Sequence, residues 1–213
     1  MTIQVYAFST PNSVKVPIAL EELQLPYELK SVNVRKGEQK NADFLSLNPN
    51  GKVPVLIDHA ETGRAPLVLT ESAAILIYLA EKTGRLLPPS GESRARVFEQ
   101  LFFHGSGLGP AFGQSGYFQK QAPEQLPLAI SRFSTEAARV ARLLDQVLAR
   151  SEFSAGNEFT IADIAHFGWL WRREFAGVVL TELPNLQRWY DQVLARKAVG
   201  VAIDRVTALA SQN

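Results

Sequence analysis

The sequence has no cysteine in its 213 residues. That absence excludes disulfides, a Cys-x-x-Cys redox pair, zinc thiolate sites and a cysteine nucleophile. Any thiol chemistry must use a sulfur carried in by a ligand. An excess of one charge is also lacking, since 22 Lys and Arg stand against 21 Asp and Glu, a net charge of +1. No field of one sign draws the chain to phosphate backbones or anionic lipid, so neither nucleic acid nor a membrane is an expected partner. Long apolar runs are missing too. The stretch around Ile75–Leu79 is too short and interrupted to span a bilayer, and the N-terminus shows no charged segment leading into an apolar one. A soluble, cytoplasmic protein is expected. His59, His104 and His166 are far apart and lack ligand spacing, so no metal is expected.

What is present is ample apolar material: 46% of the residues are hydrophobic, enough to bury a sizeable core. Residues Ile3–Phe8 are apolar and β-prone, and Val14, Ile18, Ala19, Leu20 and Leu23 then recur at helical spacing until Leu25-Pro26. Tyr27–Val34 alternates as a half-buried strand does, and Ala42–Leu47 reads as a short helix. Val53–Asp58 and Pro66–Thr70 read as strands on either side of the turn-forming ETGR at 61–64, with a helix over Ser72–Lys82. The order β-α-β-α-β-β-α predicts a mixed four-stranded, thioredoxin-like sheet over residues 1–84.

Strand signals then stop. A Pro- and Gly-bearing linker is placed at 85–92 and an all-helical domain at 93–213. Its clearest helix spans Leu126–Arg150, where Ile130, Phe133, Ala137, Val140, Leu144 and Val147 form one apolar stripe. The glycines at 105, 107, 109, 113 and 116 follow no strand and match no phosphate-binding spacing, which leaves a broken or kinked helix lining a pocket. Thr160-Ile161-Ala162-Asp163 has the form of a capping box opening the helix that carries Trp169 and Trp171.

Three turns hold chemistry-bearing residues. In the first, STPNSVK (9–15), Thr10 suits an N-cap and Pro11 a first helical position, which leaves Asn12 and free N–H groups at the positive end of a helix dipole. A thiol seated there is favoured as thiolate, although an ordinary helix start has the same pattern. Pro17 falls inside this helix and is expected to remove a hydrogen bond. In the second turn, Lys52-Val53-Pro54, a cis Val53–Pro54 bond turns the Val53 backbone outward to receive an extended peptide. Alternatively, Pro54 simply opens an edge strand. In the third, Ser72 caps a helix whose free N–H groups suit a carboxylate, and Glu71 suits an ammonium group. A plain N-cap beside a solvated acid reads the same way. In a thioredoxin-like order the three turns converge at one end of the sheet, and together they provide the parts needed to hold γ-Glu-Cys-Gly.

With NPNGKVPVL (48–56), TESAAILIYLAEK (70–82) and FTIADIA (159–165) in this order and spacing, the chain resembles the cytosolic glutathione transferases over essentially its whole length. FSTPNSVK (8–15), KGEQ (36–39), LFFHGSGLGPAFGQSGYF (101–118) and AISRF (129–133) make it look most like the nu class. That class comprises bacterial glutathione-dependent disulfide-bond reductases related to the fungal nitrogen-regulator prion protein. The resemblance implies α/β plus all-α architecture, with a thioredoxin-like domain followed by a helical glutathione-transferase domain.

The resemblance also implies that Thr10 and Asn12 face the glutathione sulfur, and that Val53, with Lys52 and Pro54, receives the cysteinyl backbone. Glu71 and Ser72 hold the γ-glutamyl end, Gln39 reaches the glycyl end, and Arg132 contacts a second glutathione. His104, Gln114, Tyr117 and Phe118 face the second substrate. Tyrosine-type members carry a phenol where this chain has Ala7, which leaves Tyr6 to the core or the sheet face. Glutathione is the implied co-substrate, as one or two molecules or as oxidised glutathione, with a small-molecule disulfide or electrophile and a homodimer as partners. Disulfide reduction is the first expectation, conjugation of glutathione to electrophiles the alternative, and a non-catalytic glutathione-binding regulator the third.

Overall fold

The alternation along Thr2–Ala7 (β1) decides the centre of the sheet: Ile3, Val5 and Ala7 are buried while Gln4 and Tyr6 are only half-buried. The computed structural model describes residues 2–59 and 65–211, so the ETGR turn expected at 61–64 lies outside the described residues. Tyr27–Ser31 (β2) lies parallel to β1, with Val55–His59 (β3) antiparallel on its other side and Leu67–Leu69 (β4) antiparallel beyond, in the order β2-β1-β3-β4. Lys15–Leu23 (α1), Ala42–Leu47 (α2) and Ser72–Thr83 (α3) complete the expected β-α-β-α-β-β-α order.

β2 stops three residues earlier than its alternation suggests. After Val32 N–H bonds to Ala7 O at 3.0 Å, the Asn33 side-chain oxygen accepts from Arg35 N–H at 3.0 Å and Lys36 N–H at 3.2 Å. This side-chain turn outcompetes the ladder. α1 also differs from expectation, because it begins at Lys15 rather than near Pro11. Pro17 is therefore its third residue, where an N–H has no intrahelical acceptor to lose. The expected loss of a hydrogen bond does not occur.

α3 is tied to the sheet through a buried carboxylate. Asp58 on β3 accepts from Tyr78 Oη at 2.6 Å and from Lys82 Nζ. Burial pushes the Asp58 carboxyl up, but these donors outweigh it and hold it below the usual range. One compact unit comprises residues up to 85 together with 196–211, because Lys197–Ser211 (α9) packs on α1. α9 buries Val199, Ala202, Val206 and Leu209, and Arg196 makes a two-pronged pair with Glu22 at 2.6 and 2.8 Å.

The second unit, residues 86–195, is helical: Gly91–Phe103 (α4), Gly109–Lys120 (α5), Pro127–Leu148 (α6), Ile161–Trp171 (α7) and Pro184–Leu194 (α8). α6 buries Ala137, Val140, Ala141, Leu144 and Leu148, close to the expected stripe. The capping box at Thr160 and Asp163 is formed, and Asp163 also accepts from Trp189 Nε1 at 2.9 Å. The glycine-rich stretch is a five-residue π-helical segment, His104–Leu108, running into α5. Its glycines make room for rings. An added Cβ would meet Trp169 at 3.3 Å from Gly109 or Gly113, and Phe175 at 2.1 Å from Gly116.

Candidate active site

Register brings the three turns of the first unit to one end of the sheet. Tyr6 and Ala7 end β1, Tyr6 pairs with Val55 at the start of β3, and Leu56 pairs with Leu69 at the end of β4. Ala7 also pairs with Ser31 at the end of β2. The chain segments that follow β1, β2 and β4 and precede β3 therefore share that end, and they carry Thr10 and Asn12, Gln39, Glu71 and Ser72, and Val53.

Thr10 caps a tight turn ahead of the helix and does not cap the helix itself. Its Oγ1 accepts from Ser13 N–H at 3.1 Å and donates to Ser13 Oγ at 2.9 Å, and the Thr10 carbonyl accepts from Val14 N–H at 3.2 Å. Asn12 Oδ1 accepts from Lys15 Nζ at 2.8 Å. Because an ammonium group can only donate, the carboxamide is turned with its oxygen inward, and the two N–H bonds of Nδ2 are left without a partner among the described residues.

Ser72 is likewise not the cap that the sequence suggests. It is the first residue of α3, and its Oγ accepts from Lys15 Nζ at 3.3 Å. Glu71 occupies the cap position without a side-chain cap bond, with φ +65°, a conformation that an L side chain adopts only under strain. Its side chain is exposed and so open to a ligand cation.

The Val53–Pro54 bond is cis, and both residues precede the β3 ladder. Val53 packs on the cluster of Val32, Phe44 and Val55 that Tyr6 also joins, so Tyr6 is a sheet-face residue. Asn48 Nδ2 donates to Lys52 O at 2.7 Å and shapes this loop, while the Lys52 side chain is exposed. Gln39 sits in a single 3-10 turn, Glu38–Lys40, with Oε1 buried and unpartnered among the described residues. The Gln39 backbone carbonyl would lie 3.2 Å from a Cβ at Gly51, whose φ of +62° independently calls for glycine.

In the second unit, Gln114 and Tyr117 are exposed on α5, and Phe118 stacks on Phe133 with ring centres 5.2 Å apart. His104 is buried and packs edge-on against His166 at 5.3 Å. Arg132 is exposed on α6. A groove of about 680 Å³ in this unit is lined by Arg96, Gln100, Leu143, Arg150 and Ser154 among others, and none of the expected site residues lines it. Among the described residues no three His, Asp or Glu side chains cluster to hold a metal, and no helix is long and apolar enough to cross a membrane.

Sequence reasoning missed Lys15. It is 1% exposed, and its amine joins Asn12 to a residue 57 positions later. One signal was present: Lys15 lies on the stripe that continues through Ala19 and Leu23, where an apolar residue is expected.

Two family profiles match the chain: "Glutathione S-transferase, N-terminal domain" over residues 10–82, and "Glutathione S-transferase, C-terminal domain" over 116–197. The chain is 39% identical over 204 residues to the disulfide-bond oxidoreductase YfcG of Escherichia coli, covering 94% of each chain. It is also similar to a glutathione transferase family member from Pseudomonas fluorescens solved with two glutathione bound. That match has TM-score 0.88 and 39% identity, and covers 94% of this chain and 92% of the other. A Pseudomonas putida glutathione transferase with one glutathione disulfide per subunit matches at TM-score 0.87 and 36% identity, over 95% and 90% of the two chains.

Proposed function

Because this chain belongs to the glutathione S-transferase family, we propose that it is a nu-class-like, glutathione-dependent disulfide-bond reductase that uses bound glutathione as its nucleophile. The observation that carries this reading is the convergence of Asn12 and Ser72 on one buried amine, which brings the sulfur turn and the γ-glutamyl turn within a tripeptide's reach of each other. A chain without cysteine can perform thiol–disulfide exchange only with a sulfur that a ligand brings.

The Asn12 Nδ2 donors and the positive end of α1 favour the thiolate. Thr10 shapes the turn through Ser13, so Asn12 is assigned the direct contact with sulfur. Glu71 takes the γ-glutamyl ammonium, Ser72 and the α3 N–H groups its carboxylate, the Val53 backbone the cysteinyl peptide group, and Gln39 the glycyl end. The exposed α5 residues Gln114 and Tyr117, with Phe118, are assigned to the second substrate, and Arg132 to a second glutathione; His104, buried against His166, is left out of that set. The bound thiolate attacks one sulfur of the substrate, forming a mixed disulfide and releasing the other sulfur as a thiolate. A second glutathione thiolate then attacks the mixed disulfide, so that two glutathiones and one disulfide become oxidised glutathione and two thiols. A homodimer in the cytoplasm completes the proposal.

The test compares turnover of a small dialkyl disulfide with turnover of an aryl halide, each with glutathione. Faster disulfide turnover is expected. Conjugation of the halide alone would replace reduction by transfer, and no turnover of either despite glutathione binding would leave a regulatory binder.

A further inference from the structure

Lys15 is a lysine almost wholly removed from solvent. Its Nζ donates to the Asn12 carboxamide at 2.8 Å and to the Ser72 hydroxyl at 3.3 Å. Desolvation by burial lowers its pKa to about 7, against the charge of Glu71, which raises it. An apolar side chain would fill this position of the stripe without that penalty.

The arrangement explains what the amine does there. Lacking any acceptor, it dictates the orientation of both neighbours. Asn12 must present oxygen inward and its two N–H bonds outward, and Ser72 must accept from the amine and direct its own O–H elsewhere. Both donors are then turned away from the amine and suit a ligand that brings acceptors, a sulfur at one end and a carboxylate at the other. We propose that Lys15 is a positioning residue of the glutathione site, which aims Asn12 at the sulfur and Ser72 at the γ-glutamyl carboxylate. This proposal rests on the reading of the site given above.

The test titrates the thiol of bound glutathione by the ultraviolet absorbance of its thiolate, in the wild type, Lys15→Met, Lys15→Gln and Asn12→Ala. In the wild type the midpoint should lie below that of free glutathione. In Lys15→Met it should rise by about one pH unit, as expected when the Asn12 donors are no longer held toward the sulfur. Below the midpoint, kcat should fall about tenfold with the thiolate fraction, and KM for glutathione should rise through Ser72. The Lys15→Met, Asn12→Ala double variant should titrate no higher than Asn12→Ala alone, since Lys15 acts largely through Asn12. Lys15→Gln keeps a donor for Asn12, so its midpoint and KM should change less than those of Lys15→Met, and should Lys15→Met not fold, Lys15→Ala takes its place in the comparison. If replacing Lys15 changes the melting temperature and leaves the midpoint where it was, its importance is purely structural and the proposal is overturned. If wild-type bound glutathione titrates like free glutathione, the reading of the site itself is overturned.

Discussion

Asn12 and Thr10 sit two residues apart in one turn, yet their hydrogen bonds give them different tasks. Thr10 spends its hydroxyl on Ser13, whereas Asn12 retains two N–H donors. Asn12→Ala should therefore lower kcat more than Thr10→Ala does, and both should affect kcat more than glutathione affinity. Glu71→Ala should weaken binding instead, and steady-state kinetics showing wild-type values in all three would remove these roles. Lys15 supplies a second prediction at this scale. Its folded pKa of about 7 is depressed from the ordinary 10.5, so the unfolded chain holds the proton across that window and the folded protein does not. Stability from this group is full above about 10.5 and is lost as pH falls toward 7. Melting temperatures of the wild type and Lys15→Met should therefore move in the wild type's favour between pH 7 and 10, and parallel curves would contradict the buried charge.

Among the elements, α5 and α9 give opposite expectations for the same substitution. Gly116→Ala puts a Cβ 2.1 Å from the Phe175 ring and should cost about 1–3 kcal/mol by overpacking. Gly200→Ala, within α9, meets nothing within 4 Å and should gain about 0.5–1 kcal/mol in urea unfolding. Thr160→Ala removes the cap that accepts from Ala162 N–H at 3.3 Å, and a loss of about 1 kcal/mol is expected; a thermal shift near zero would count against it. Elements with a strong period were legible in the sequence: β1, α2, α3, α6 and the box opening α7 follow from alternation, helical spacing and capping chemistry. What periodicity does not record stayed hidden. The start of α1 was displaced because Thr10 bonds Ser13 before any helix forms, and Ser72 gave up its cap role to a lysine 57 residues earlier. The sulfur turn, Val53 and Glu71 were readable as local turn chemistry, but Lys15 was not, since a charge in a sequence is ordinarily assigned to solvent.

For the molecule as a whole, the first unit is discontinuous: residues up to 85 are completed by 196–211. Val199, Val206 and Leu209 are each nearly or fully buried, and side chains of this kind contribute roughly 1.5–3 kcal/mol apiece. A chain stopped after Ala195 should lose more than about 3 kcal/mol of stability in urea and bind glutathione poorly, and an unchanged unfolding midpoint would show that α9 is dispensable. The same dependence sets a schedule for synthesis. The face of α1 that α9 covers emerges early from the ribosome and waits while residues 86–195 are translated, at roughly 5–20 residues per second. For on the order of ten seconds the unit that was begun first remains unfinished, with an apolar helix face open to chaperones or to a neighbouring nascent chain.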